Sequence, residues 1–331
     1  MLAILLLFLL PLLGFWLLVA AMIWMPGRSF EGTPPPLEPT AAAMAKRMAD
    51  GLDMLARDIG PRHLRGREPQ LDRAADWIES QLTAMGYAVQ RERFEVEGQS
   101  VCNLLAQRDG HGNQPKLLIV GAHYDTTPGS PGANDNGSGV VACLELARAF
   151  AQSSGRHGLR FAFFVNEEAP WFMTRSMGAL VHAEGCAQRR EPILAMLCLE
   201  SVGCFIDLPR SQRYPPPLER FYPDTGDFVA FVSNMASRGL LHRLMRSFRR
   251  HASLPSHGLA GWERTLGDVG RSDHKAFWKH GYEAVMITDT ANFRDRHYHT
   301  SLDLPDHVDT TAMARLVASL QCVIGDLVKT A

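Results

Sequence analysis

A small set of acids and imidazoles in this sequence has the types and the order for hydrolytic metal chemistry: His123, Asp125, Asp135, Glu167, Glu168, Glu200 and His299. Imidazole and carboxylate donors without thiolate suit a catalytic zinc ion, which needs coordination positions left open for water and substrate. Two histidines and three acids, one of them bridging, would fill two such sites. Metal ions about 3.5–4 Å apart clamp the oxygens that carry developing charge in a hydrolysis. A neighbouring carboxylate that is not a ligand would then move the proton.

Taken one at a time, most of these residues have ordinary explanations. A histidine after a strand commonly serves as a hydrogen-bonding residue, an Asp among Gly and Asn is a turn former, and paired Glu before a helix complement its positive end. Glu200 resists such an account, because a lone carboxylate in an apolar stretch is costly to bury. The case rests on the whole set arriving at one place.

That place is set by the elements. Helical spacing covers 40 to 59 and 68 to 85, and strands fit 87 to 96 and 101 to 107. The short apolar runs 116 to 121, 159 to 165, 193 to 199 and 284 to 288 read as strands covered on both faces. A strand at 228 to 232 and helices at 138 to 152, 173 to 184, 238 to 251 and 310 to 329 complete an alternating pattern. Alternation of this kind predicts an α/β fold, with a mostly parallel, mixed central sheet and helices on both faces. Ligands bind such sheets beyond the carboxyl ends of the strands. His123, Glu167–Glu168 and Glu200 each follow a buried run, His299 comes about ten residues after another, and Asp135 lies in the Gly-Asn-rich loop that opens the helix at 138.

Residues 1–27 carry no charge and are almost wholly apolar. They are long enough to cross a bilayer core, which takes about 20 residues. With no basic start they read as a retained transmembrane anchor or uncleaved signal rather than a cleaved one. Arg28 is the nearest positive residue; taken alone, it would lie on the cytoplasmic side. The Pro-rich stretch 28–39 reads as a semi-rigid linker, and 40–331 as the folded domain. A formal net charge of −1 gives no sign of a nucleic-acid partner. The six cysteines form no Cys-x-x-Cys pair; Cys198 and Cys204 are the candidates for a bridge in an oxidising compartment.

The segments Gly121-Ala122-His123-Tyr124-Asp125, Gly132-Ala133-Asn134-Asp135-Asn136-Gly137-Ser138-Gly139, Asn166-Glu167-Glu168, Leu199-Glu200-Ser201-Val202-Gly203, Ser272-Asp273-His274 and Tyr298-His299-Thr300 together resemble metallopeptidase family twenty-eight. That family comprises two-zinc aminopeptidases, glutamate carboxypeptidases and glutaminyl cyclases. The resemblance implies the phosphorylase/hydrolase-like zinc exopeptidase fold and an extracytoplasmic catalytic domain. It further implies that Asp135 bridges two zinc ions, with His123 and Glu200 completing one site and Glu168 and His299 the other. Glu167 would be the general base, Asp125 would orient His123, and Asp273 would support the Glu200 side or cap a helix. Many members carry Asp where Glu200 stands. Because glutaminyl cyclases tend to bind one zinc, metal number could turn on that position.

The expected substrate is a peptide or small amide. Trp171, Phe172, Trp278, Phe293 and Tyr298 are candidates to line an apolar side-chain pocket. An aminopeptidase would hold the substrate amine with spare carboxylates. A carboxypeptidase would use Arg175, Arg271, Arg294 or Arg296. The competing functions are a glutaminyl cyclase or other amide hydrolase on the same scaffold, and an inactive receptor-like relative.

Overall fold

The computed structural model describes residue 14 and residues 16–329. Helix α1 (Pro39–Leu52) continues through a wider-wound turn, Asp53–Ile59, and ends at Gly60, whose φ of +78° suits a residue without Cβ. Helix α2 (Glu68–Ala84) carries a proline in its first turn, where the missing N–H leaves no bond unmade. Strands β1 (Val89–Val96) and β2 (Gln99–Arg108) pair antiparallel across the two-residue turn Glu97-Gly98. Both turn residues have positive φ, which matches the twist of a tight hairpin.

Three strands are buried at every residue: β3 (Leu117–His123), β4 (Gly158–Phe164) and β8 (Ala284–Thr288). With β5 (Ile193–Glu200) they run parallel in the order β4-β3-β5-β8. Strand β6 (Val229–Asn234) lies antiparallel to β8, and β7 (Ser256–Gly261) closes the sheet parallel to β6. The eight strands therefore follow the order β1-β2-β4-β3-β5-β8-β6-β7. The carboxyl ends of β3, β4, β5 and β8 and the amino ends of β6 and β7 share one edge.

Helices α1 and α2, with α3 (Gly139–Phe150), α5 (Arg238–His251) and α7 (Thr310–Lys329), bury their apolar stripes on one face of the sheet, through residues such as Met48, Ile78, Leu244 and Leu316. Helices α4 (Gly178–Gln188) and α6 (His274–Lys279) cover the other, through Leu180, Ala183, Ala276 and Phe277. The mixed α/β architecture is the one expected from the sequence.

Strand β7 was not anticipated, and helix α6 only as a helix that Asp273 could cap. β7 holds two glycines and little apolar pattern, and α6 is six residues long. The helix expected at 173 to 184 starts only at Gly178, since Trp171, Thr174 and Met177 make consecutive turns instead.

Most of the anticipated N-terminal span, residues 1–13 and 15, lies outside the described residues. Among the described residues the only helix long and apolar enough for a bilayer is Thr310–Lys329, and 56% of its most apolar stretch is buried. It is a core helix of the domain, so among the described residues no helix reads as a transmembrane span. The segment read as a linker lies along the domain: Arg249 donates to the carbonyl of Gly27, Ser256 N to Ser29 Oγ, and Arg315 to the carbonyl of Pro35. All six cysteines are free, Cys198 and Cys204 included.

Candidate metal centre

Each donor is carried to the shared edge by its own element. His123 is the last residue of β3 and Glu200 the last of β5. Glu167 and Glu168 follow β4, and His299 lies in the loop after β8. Asp135 stands in the turn between β3 and α3. That turn depends on Gly132, where φ is +64° and a Cβ would fall 2.2 Å from Thr126 Cγ2. Asn166, Ser201 and His299 also hold left-handed backbone, at φ 60°, 47° and 59°. Such conformations cost roughly 1 kcal/mol or more each and persist where surrounding structure fixes them. Here they turn the chain sharply beside three of the donors.

The side chains converge as two triads sharing one acid. His123 Nε2 lies 3.4 Å from Asp135 Oδ1 and 3.3 Å from Glu200 Oε2. His299 Nε2 lies 3.0 Å from Asp135 Oδ2 and 3.1 Å from Glu168 Oε1. Asp135 thus offers one oxygen to each triad. A tetrahedral ion with bonds of about 2.0–2.2 Å spaces its ligands about 3.3 Å apart. His123 Nε2, Asp135 Oδ2 and Glu168 Oε1 are buried without hydrogen-bond partners, a costly state that a cation would relieve. The residues present therefore fit divalent metal. The donor set, all imidazole and carboxylate, fits zinc.

The electrostatics agree with that fit. Burial alone would depress His123, but the Glu200 and Glu167 carboxylates outweigh it and hold its pKa well above the usual range. Burial likewise opposes charge on His299, yet the Asp135 and Glu168 carboxylates, 3.0 and 3.1 Å away, lift it to about 10. Burial and the Asp135 charge push Glu168 up to about 7. Burial raises Glu167 well above the carboxylate range, reinforced by Glu200, Glu168 and Asp273 and opposed by His123. Crowded acids of this kind hold protons unless another positive charge takes their place.

Glu167 stands apart from both triads, with Oε2 3.8 Å from His123 Nε2. Asp125 sets its backbone: the two carboxylate oxygens accept the amides of Glu167 and Glu168, each at 3.1 Å. His123 Nδ1 lies 3.2 Å from the Asp125 main-chain carbonyl and 3.4 Å from its Oδ1. Orientation of the ring is thus shared between main chain and side chain, beyond the carboxylate contact expected from the sequence.

On the Glu200 side, Ser272 Oγ donates to Oε2 at 2.6 Å and Ser201 Oγ to Oε1 at 3.2 Å. Asp273 occupies the N-cap position of α6 but makes no cap bond, and both its oxygens are buried and unbonded. Burial, with Glu200 and Asp125 nearby, raises its pKa well above the carboxylate range. The direct support expected of Asp273 is given by its neighbour Ser272.

Several contacts at the site have no signal of their own in the sequence, although Asn134 lies in the recognisable Gly132–Gly139 segment. Asp303 accepts the amides of Asn134 and Asp135. Asn134 Nδ2 donates to Asp289 and Asp295, and its Oδ1 accepts from Gly203 N. Arg62 is fully buried; its guanidinium donates to the carbonyls of Leu55, Tyr124, Pro131 and Gly132. Burial lowers its pKa to about 10, so it stays charged. An isolated arginine far from the metal donors in sequence, or an Asp two residues before a single proline, has no spacing that would reveal these tasks.

Beside the metal edge opens an apolar cleft walled by Phe228, Ala230, Val232, Met286, Leu266 and Val269, with Glu200, Asp268, Arg271, Phe293 and Tyr298 toward the site. Tyr298 stacks on the His299 ring, centroids 3.9 Å apart. The other expected pocket aromatics are engaged elsewhere: Arg65 sits 4.9 Å over Trp171, Lys275 lies 5.9 Å over Phe172, and Trp278 packs edge-on to His274. Of the four expected arginines, Arg271 reaches the cleft, while Arg294 is buried against Phe228.

Comparison with known proteins agrees with this architecture. The chain is 31% identical over 334 residues to the protein YfbL of Escherichia coli (strain K12), covering 95% of this chain and 94% of that one. The structure of BSAP, a zinc aminopeptidase from Bacillus subtilis, superimposes with a TM-score of 0.67 at 15% identity, covering 86% of this chain and 95% of that one. A glutaminyl cyclase from Fimbriiglobus ruber superimposes with a TM-score of 0.61 at 20% identity, covering 93% and 100%. Residues 103–322 match Peptidase family M28, and with this geometry the conclusion is that the chain belongs to that family.

Proposed function

We propose that the protein is a metal-dependent exopeptidase, an aminopeptidase working with two zinc ions. One observation carries the reading: Asp135 points one oxygen into each of two complete donor triads. Zinc bound there would polarise a peptide carbonyl and make water acidic enough to attack near neutral pH.

The chain's own groups supply the rest. Glu167 is buried, touches neither triad directly, and has its backbone pinned by Asp125. It takes a proton from the attacking water and returns it to the leaving amine. Tyr298, stacked on His299 at the mouth of the cleft, guides the substrate toward the metal edge. The cleft accepts the side chain of the residue to be released, and its walls of Phe228, Val232, Leu266, Val269 and Met286 favour an apolar one.

The fold is shared with a glutaminyl cyclase, so the decisive experiment separates the two reactions. Full-length protein with measured metal content is given Leu-, Ala- and Gln-initiated peptides. Release of free Leu supports the proposal. Ammonia release from the Gln peptide without loss of a residue overturns it in favour of a cyclase. A membrane-attached location, through residues 1–27, belongs to the same proposal. It is supported by the uncharged apolar composition of that segment.

A further inference from the structure

Helix α5 holds five arginines and two histidines in fourteen residues, with no acid. Its apolar half, Leu240, Leu241, Leu244, Met245 and Phe248, is buried. Arg243, Arg246 and Arg250 form an exposed stripe at helical spacing. The facing acids are Glu283, 3.4 Å from Arg243, and Asp326, 2.9 Å from Arg250. Both pairs lie in solvent and bind their partners weakly, and among the described residues Arg246 pairs with no acid. The patch is too basic to be explained as complement to a helix C-terminus alone, since Arg238 and Arg243 lie in its first half.

The adjoining side of α5 carries the N-terminal segment. Residues 16–23 are helical. Arg238 Nε donates to the carbonyl of Ala21, and the Trp24 ring meets His242 edge-on at 5.4 Å. Arg249 donates to the carbonyls of Met25, Pro26 and Gly27. Met25 is buried over Gly258, where a Cβ would sit 2.7 Å from its sulfur. Outward, Trp16, Leu17, Leu18 and Trp24 remain 51%, 62%, 46% and 58% exposed. The chain before them, residues 1–13, is uncharged. Exposed aromatic and aliphatic side chains beside an arginine stripe, continuous with an uncharged apolar run, match the layers of a lipid surface: acyl boundary, then anionic headgroups.

We propose that α5 and residues 16–25 form one docking face for an anionic lipid bilayer, so that the catalytic domain lies against the membrane instead of hanging free from its anchor. The proposal rests on the membrane-attached reading of residues 1–27. Cationic side chains near such a surface each strengthen attraction several-fold.

The test uses the full chain in vesicles of phosphatidylcholine with or without phosphatidylglycerol. Cys322 is exposed, whereas the other five cysteines are buried. It lies one turn of α7 before Asp326, the partner of Arg250. A fluorophore there reports approach to lipids carrying a headgroup quencher. Expected are strong quenching only in the phosphatidylglycerol vesicles, its loss at high salt, and a fall of at least roughly tenfold in R243Q/R246Q/R250Q. The control R67Q/R73Q/R93Q, far from this face, should quench like wild type, and unchanged peptidase turnover shows that both variants fold. Equal quenching in both lipids, or no effect of the α5 variant, overturns the docking face while the anchor stands. Failure of the full chain to float with either vesicle overturns both.

Discussion

The Asp303 carboxylate accepts the backbone amides of both Asn134 and Asp135, at 2.7 and 3.0 Å. It thereby fixes the peptide that presents the shared donor, although Asp303 itself touches neither triad. Outer partners of this sort are commonly worth 10- to 100-fold in metal affinity. Asp303→Ala is expected to weaken metal binding by about that factor, with Asp135 and the other donors unchanged. A competition titration against a chelating dye measures it; wild-type affinity would remove Asp303 from this task.

Glu167 should be separable from the metal. Glu167→Gln keeps the shape and the Asp125-held backbone but removes the basic oxygen. Turnover is expected to fall by at least ~10²-fold, with metal content by elemental analysis unchanged. His123→Ala, by contrast, should lose bound metal as well as activity.

Metal removal should also be visible in stability. Without a cation, the crowded acids around Asp135 hold protons themselves or draw them onto His123 and His299. Loading to 100 times the dissociation constant adds about 2.7 kcal/mol by mass action. Chelation should therefore lower the unfolding temperature, and zinc should restore it. Coincident melts with and without chelator would count against a bound ion.

Ala230 lies on the wall of the apolar cleft. Ala230→Phe fills that space without touching a metal donor. It is expected to lower kcat/KM for Leu-initiated peptides by ten-fold or more relative to Ala-initiated ones, the scale on which pocket volume discriminates. An unchanged ratio would place the substrate side chain elsewhere.

Two histidines, buried His274 and half-buried His257, set a limit on the acid side. Burial, with Arg249 and Arg294 near, lowers His257 to about 4, and burial lowers His274 to about 4. The unfolded chain, with histidines near 6.5, binds these protons more readily than the folded one. The contribution of these two residues to stability is therefore full above about pH 6.5 and is lost as pH drops toward 4, by up to roughly 3 kcal/mol for each. His257→Gln should flatten part of that slope. Urea midpoints at several pH values between these limits test it, and a parallel slope in the variant would refute the assignment.

The legible parts of the molecule were those written in local pattern. Buried runs such as Leu118–Val120 and Phe161–Phe164 mark central strands because no other element needs so many apolar residues in a row. Donors placed at their ends are readable because a parallel sheet delivers them to one edge. The tasks of Ser272, Asn134, Asp303 and Arg62 were not legible, although Ser272 and Asn134 lie in segments that carry the family resemblance. Each acts through a hydrogen bond to a residue 64 or more positions away, as in Arg62 N to Thr126 Oγ1, and such a bond leaves no periodicity. Trp171 was misplaced for the opposite reason: nearness in sequence to Glu168 did not bring it into the cleft, since the turn beginning at Glu168 carries it to Arg65.

Arg62 stands outside the stretch 103–322 that matches the family, yet its guanidinium reaches the carbonyls of Tyr124, Pro131 and Gly132 on the turn that carries Asp135. The coordination sphere is therefore a property of more of the chain than supplies its ligands. A fragment cut at residue 103, or a graft of the recognisable segment onto another scaffold, would keep every donor atom and lose the peg that spaces them. The segment that joins the two leading helices thus braces the candidate metal site, one layer removed.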